Sequence, residues 1–583
     1  MKKVVYLLAL ATLLAGACSK DEIEISGGDG TSAAKEVDNE GDDVSNTQFS
    51  GTITITYSQS GATVSGDELG YVSVNGNQVT VNNTGADNII YVLQGSTSNG
   101  FFKLYSEKKQ EILLSGVSIT NPSGAAINNQ SGKRTFVVVE GTNYLSDGES
   151  ATYSSGDEDM KAVFFSEGQL VLSGSGSLTV NAVNKQGKSA LTSDDYVHLT
   201  DNVSLTLTAG SNAGHGLRGK DYVQLSGGKL DITTAAATKK GITTDGFVLV
   251  EGGTHNITVK GGVAKDSESG EYKGTAGIKA DNYFAMTGGA VTITNSGNGG
   301  KGVRAGSYDY VTNYGAAIAD SYITGGTLTV TTTGSESNDE SAKGIKIGYK
   351  ESNGRSYIYG GNLKISGGTV KVNVSKSEGL EAKGDITISG GDVYVYSTGD
   401  DAINSQGTLY VTGGYVFGYS TANDGLDSNG DTKLSGGYVF AITTRGNPEV
   451  AIDANTEERH SLYIEKGATV IAYGGLESGY SSANTVYSMS ASAGNWNALY
   501  NGSSFITAFK APSGLSNFAV TAPSLSKGYT GVSVSGDTFC NGALAGAGIS
   551  GGSEVSLSTY SGGSGGPGGN PGGGGWPGGP GGH

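Results

Sequence analysis

Two stretches, "DDAINSQGTLYVTGGYVF" and "NDGLDSNGDTKLSGGYVF", set acids and amides at matching positions: Asp400, Asp401 and Asn404 in the first, Asn423, Asp424 and Asp427 in the second. "EGLEA" supplies Glu378 and Glu381 just before them, and "VAIDA" supplies Asp453 just after. Hard oxygen donors repeated in this way suit calcium, which takes six to eight oxygens at about 2.3–2.6 Å. If the repeats stack as neighbouring strands, their carboxylates lie about 4.8 Å apart. At that separation they repel by roughly 1 kcal/mol in bulk water and several-fold more near a protein surface. A cation between them removes the repulsion. Glu378, Glu381, Asp400, Asp401, Asn423, Asp424 and Asp427 are therefore the expected Ca2+ ligands. The competing reading is a set of solvated turn residues, since Asp-Gly and Asn-Asp favour turns in any case.

Upstream, the corresponding positions are basic. Lys240, Lys301 and Lys343 precede a small-plus-aliphatic pair, and Arg218, Lys279, Arg304 and Lys346 follow it. One cation per repeat along a line suits a linear polyanion such as a chain of uronic acids, with Lys240, Lys279, Lys301, Arg304, Lys343 and Lys346 as its expected contacts. Lysines and acids meet at Lys343, Lys346, Glu378 and Glu381, with Lys383 one step away. A lyase that removes the proton beside a uronate carboxylate needs a base next to a metal, which makes Lys343, Lys346 and Lys383 its candidate catalytic residues. Tyr394, Tyr396, Tyr415, Phe417, Tyr419, Tyr438 and Phe440 alternate on a different strand, where they either stack inside the fold or present rings to sugars.

The elements that must hold these side chains in line follow from the repeat. Glycine pairs end at Gly368, Gly391, Gly414 and Gly437, a step of 23 residues, and a fixed period of this size means stacked units. The small-plus-aliphatic column recurs at Ala126, Ala162, Ala190, Gly216, Gly241, Gly277, Gly302, Gly344, Gly379, Ala402, Gly425 and Ala451, with insertions lengthening some intervals. Short runs such as "KVNVS" and "DVYVYS" alternate as strands do. With 99 glycines and only 16% charged residues, the chain does not describe a helical enzyme. Three short strands per repeat can satisfy their backbones only by pairing with the repeats above and below. The expected fold is all-β, a right-handed parallel β-helix of about twelve turns; a β-propeller blade of about 40 residues is too long for this period.

The net charge of −18 argues against nucleic acid as a partner. Five scattered histidines and two cysteines exclude a zinc site of ordinary ligand spacing. The start, "MKKVVYLLALATLLAGACSKDE", reads as a secretory signal ending at Cys18, the expected lipidation site. It resembles a bacterial lipoprotein signal, with Ala15 where Leu is usual, and its "SKDE" resembles the tag that directs lipoproteins to the outer face of the outer membrane. The membrane is thus expected as a partner through this lipid alone.

The lipoprotein signal, the "SGG" corners, the "KGI-x-[AS]" and "DGLDSNG" turns and the Gly/Pro-rich end resemble a secreted carbohydrate-binding family of calcium-binding right-handed parallel β-helices, similar in fold to family-nine pectate lyases. The likeness runs over roughly residues 50–475 and implies a binding protein for cellulose or acidic sugars. The expected organisation is a signal peptide at 1–18, a disordered tether at 19–48, the β-helix at 49–475, a C-terminal β cap at 476–560 and a disordered tail at 561–583. Three functions are carried forward. The first is a surface-anchored, calcium-dependent polysaccharide-binding monomer; the alternatives are a pectate-lyase-like enzyme and an adhesin for a host protein or glycan.

Overall fold

Each repeat becomes short strands that pair with the repeats before and after it. In the computed structural model, which describes residues 40–562 apart from Ala86, 154–157, Glu268, Asp537, Asn541 and 544–546, nearly all regular structure is β. One turn runs through Leu380–Ala382 and then Ile386–Ser397, which continues past the glycine corner; the next runs through Ile403–Ser405, Leu409–Val411 and Tyr415–Ser420. Pairing between turns is parallel, with Leu380 opposite Ile403, Ile386 opposite Leu409 and Val393 opposite Val416. Repeated along the chain, these pairings give a β-helix-like solenoid. Its corners need a backbone that bends sharply: Gly368, Gly391, Gly414 and Gly437 have φ of 75°, 79°, 79° and 74°, a region that only glycine enters freely.

The aliphatic column runs up the inside. Leu191, Leu217, Ile242, Ile278, Val303, Ile345, Leu380, Ile403 and Leu426 lie in register on successive turns, all buried in one continuous core. The ladder also takes in Phe102 and Val79 upstream and Leu476 downstream. Burying each such side chain is worth about 1.5–3 kcal/mol. One expected member is displaced: Phe164 pairs with both Ile127 and Leu191, so the small position of that turn is Val163, not Ala162. The small residues have a steric cause. A Cβ on Gly379 would stand 2.1 Å from Val395 Cγ1, and one on Gly241 would stand 2.3 Å from Ile257 Cγ2. In the next turn Ala402 replaces glycine, and the residue in register with Val395 is Gly418, so volume moves from one strand to the other.

The tyrosine-rich strands correct both sequence-based readings of them. Val393, Val395, Val416 and Val439 face the solenoid core, whereas Tyr415, Phe417, Phe440 and Ile442 form a second core with Leu499, Phe509 and Phe518. Tyr415, Phe417 and Phe440 neither stack inside the solenoid nor stand open to sugars, because the C-terminal region covers them, while Tyr394, Tyr419 and Tyr438 pack half-buried against this second core. The Phe440 ring lies 5.5 Å from that of Phe509 and 6.0 Å from that of Phe518. Asn517–Thr521 pairs antiparallel with Thr469–Tyr473, giving partners to strand groups that would otherwise form an open edge.

Separately, residues 40–46 form two one-turn 3-10 helices, Glu40–Asp42 and Val44–Asn46. The signal segment with Cys18, most of the expected tether and the tail from residue 563 lie outside the described residues.

Candidate functional site

The strand ladder fixes one line of side chains on the solenoid. Immediately after the inward aliphatic residue, successive turns carry Arg218, Thr243, Lys279, Arg304, Lys346, Glu381, Asn404 and Asp427 in register. Ile452 bridges Leu426 and Leu476, which continues the line to Asp453 and Glu477. The line is basic at one end and acidic at the other.

At the basic end some cations are already matched. Arg218 donates to both oxygens of Asp245 at 3.0 and 2.9 Å, and Lys279 Nζ lies 2.6 Å from Asp281. Arg304 and Lys346 form no ion pair among the described residues; the nearby acids are held by Lys301 and Lys343. Lys346 is pushed down to about 7, by burial and then by the positive charge of Arg304, with Lys343 and Lys301 adding to it and Glu381 opposing. Lys240 is likewise pushed to about 7 by burial and by Lys279 and Arg304, and its ammonium donates to the Thr238 carbonyl. Near neutral pH these two amines are only partly protonated, and an anion brought beside them would favour the charged form.

Three of the expected glycan contacts, Lys240, Lys301 and Lys343, precede the small residue and so are not on this line. Lys301 is only 3% exposed because Glu340, from the return between turns, pairs with it. Lys343 Nζ sits between Glu378 at 2.6 Å and Glu381 at 2.8 Å, and Lys383 also pairs with Glu381. Burial opposes the charge of Glu381, but Lys343, Lys383 and Lys346 outweigh it and hold the carboxyl at about 2. A carboxylate so neutralised has no need of calcium. Glu378 and Glu381 therefore belong to an internal ion network, apart from the other acids of the expected metal set.

The acidic end is different. Carboxylate oxygens of Asp424, Asp427 and Asp453 lie within 4.8 Å of one another. Burial and then Asp427 push Asp401 up to about 9. Asp424 rises to about 7 and Asp427 to about 6, burial again leading in each case. Asp453 is raised by burial and by its hydrogen bond to Glu477. The available donors are amides: Asn404 Nδ2 donates to Asp401 at 2.9 Å and to Asp427 at 2.7 Å, Asn423 Nδ2 to Asp400 at 3.0 Å, and the Val450 N–H to Asp424 at 2.6 Å. An all-oxygen set of carboxylates, Asp424 buried and Asp427 and Asp453 half-buried, with no cation paired to it among the described residues, fits a hard divalent ion. Asp453 and Glu477 were missing from the expected ligand set. "GGLES" at Gly475 repeats the small-aliphatic-acid signature of "EGLEA", and extending the stack by that one turn would have found Glu477. A second cluster, Asp159, Glu167 and Asp194, already contains a cation, since Lys161 pairs with Asp159 and Asp194.

The chain belongs to a family described as carbohydrate-binding domain-containing proteins, whose model matches residues 75–416 and 349–510. No curated protein matches it. Among solved structures it is similar to a polysaccharide lyase-like protein from C. thermocellum, determined as a gadolinium derivative, at 21% identity and a TM-score of 0.35, over 43% of this chain and 93% of that one.

Proposed function

We propose that this chain is a surface-anchored, calcium-dependent binding protein for acidic polysaccharide such as polygalacturonate. The observation that carries the reading is the pair Arg304 and Lys346, adjacent in the ladder and without acidic partners among the described residues. Two cations one turn apart meet two carboxylates of an extended uronate chain, and Lys279, shared with Asp281, and Lys240, in the neighbouring column, would add to the positive potential of the earlier turns. Each desolvated charge-assisted contact is worth about 1.5–3 kcal/mol, and much less where water reaches it. Calcium bound by Asp424, Asp427 and Asp453 would neutralise the acidic end and rigidify the last turns. Asp400 and Asp401 one turn away, and Asn423 beside Asp424, are further oxygen donors. A lipid on Cys18 would hold the protein, as a monomer, at the outer face of the outer membrane.

The test is affinity for polygalacturonate and for a neutral β-glucan, measured by calorimetry on wild type and on Arg304→Ala with Lys346→Ala. A loss of tenfold or more for the charged chain, with the neutral one unchanged, is expected. Equal loss for both would remove the anionic reading.

One feature supports a second reading as a lyase. Lys346, with its amine near 7, has the free base that β-elimination needs, taking the proton beside the uronate carboxylate as the glycosidic oxygen leaves. Lys343 and Lys383 are spent on Glu381 and drop out of that role. An ultraviolet-absorbing unsaturated product from polygalacturonate, absent in Lys346→Ala, would establish the enzyme.

A further inference from the structure

The stack is interrupted directly after each of the two unpaired cations. Past Arg304 the chain leaves to form a helix, Tyr308–Tyr314, and past Lys346 it forms a hairpin of Tyr349–Ser352 and Tyr357–Gly360. The two insertions pack on each other. The Tyr308 and Tyr349 rings are 5.2 Å apart, and Ile318 Cδ1 fills the space beside Gly306 and Gly361, 2.6 and 3.1 Å from where a Cβ on each would stand. The helix is closed at both ends, Ser307 accepting from the Tyr310 N–H and Gly315 terminating it with φ of 63°. The projection is thus an ordered element held in place.

It nevertheless keeps its rings in water. Of the nine strongly exposed large apolar side chains among the described residues, four are here: Tyr314 at 54%, Tyr357 at 56%, Ile358 at 37% and Tyr359 at 37%. Ordering an element whose aromatic surface stays wet gains no core, and such patches mark ligand sites. The patch is carried by the two segments that follow Arg304 and Lys346 in the chain. Burial, and then the negative charges of Asp245 and Asp221, push the Tyr314 phenol up. Lys350 Nζ lies over one face of the Tyr357 ring, 4.1 Å from its centroid, which leaves the opposite face for a ligand and adds a positive charge to the patch. Aromatic faces with polar tips, on segments that follow the two unmatched cations in the chain, suit a chain of pyranose rings bearing carboxylates.

We infer that Tyr314, Tyr357 and Tyr359 form a stacking platform for the sugar rings of the acidic polysaccharide whose carboxylates meet Arg304 and Lys346. This rests on the anionic-glycan reading above and assigns to it a site on the two insertions. Stacking is neutral in charge, so it contributes affinity without adding to the salt dependence, which comes from the cations.

The experiment measures binding of oligogalacturonate by calorimetry at two salt concentrations, using the full chain and two variants: Tyr357→Ala with Tyr359→Ala, and Tyr357→Phe with Tyr359→Phe. These side chains are exposed, and circular dichroism checks that each variant is folded. The alanine variant is expected to lose at least fivefold in affinity with an unchanged salt slope, and the phenylalanine variant to keep most of the binding. A tyrosine difference spectrum on saturation is expected in wild type and reduced in the alanine variant. Wild-type binding with an unaffected alanine variant would overturn the platform while leaving the anionic reading intact. Absence of wild-type binding would overturn both. A wild-type dimer that becomes monomeric in the alanine variant would reassign the rings to a contact between copies and overturn the proposal.

Discussion

Lys343→Met removes the cation between Glu378 and Glu381, and the structure sets the size of the effect. The lysine side chain is 11% exposed and that of Glu381 is 2% exposed, so solvent screens the pair little. The Glu381 carboxyl is at about 2 in the fold against an ordinary 4.5. At 1.36 kcal/mol per unit this corresponds to about 3 kcal/mol at neutral pH, in line with the roughly 3–5 kcal/mol lost when a buried pair is broken. The sign follows from the lowered value: this stability is present above about pH 4.5 and is lost as pH falls towards 2. A solenoid need not unfold in one step, so the assay is hydrogen exchange at Leu380–Ala382, followed from pH 7 to pH 3. Wild-type protection should weaken towards the acid end of that range. Lys343→Met should begin lower by at most about 3 kcal/mol, since Lys383 still pairs with Glu381, and adding Glu381→Gln should recover part of the loss by removing a buried charge left under-compensated. Unchanged protection in Lys343→Met, or no recovery in the double variant, would show that the network is not what holds this turn.

Three further outcomes are expected. In calcium-free buffer the last turns should lose stability as pH rises from about 4 to about 7, because Asp424 and Asp427 are raised to about 7 and 6 in the fold and release protons sooner when unfolded; added calcium should restore it, and Asp424→Asn with Asp453→Asn should abolish the restoration, all read from thermal melts. Gly379→Ala should destabilise by about 1–3 kcal/mol through overpacking, and adding Val395→Gly, which copies the Ala402 and Gly418 turn, should recover part of it in denaturant titrations. Cys18→Ser should move the protein from the membrane to the soluble fraction, and a wild-type chain already soluble would contradict the lipid anchor.

The solenoid was legible because its causes are local and repeated: a glycine that must adopt positive φ, a small residue that must face an aliphatic one, and strands too short to pair with anything but their equivalents. The line from Lys279 through Lys346 to Asp427 could be read for the same reason, since register turns spacing into adjacency. What the repeat does not encode is what comes from outside it. Glu340, on an irregular return, takes Lys301 out of solvent. The C-terminal strands cover Phe417 and Phe440, and no periodicity announces a cover. The tyrosines of the two insertions fall where the period breaks, in a part of the chain that a repeat-based reading passes over. The displacement at Ala162 has a smaller cause: in "KAVFF" two candidate pairs overlap, and only pairing with Ile127 and Leu191 selects between them.

The most direct test of the central claim compares one polymer with and without its charge. Calorimetric titration of the wild-type protein, with calcium present, against polygalacturonate and against the same chain fully methyl-esterified changes the carboxylates and little else. Binding to the free acid, weakened by salt, with at least tenfold less affinity for the ester, is the predicted result. Equal affinity for the two would contradict an anion-reading line at Arg304 and Lys346.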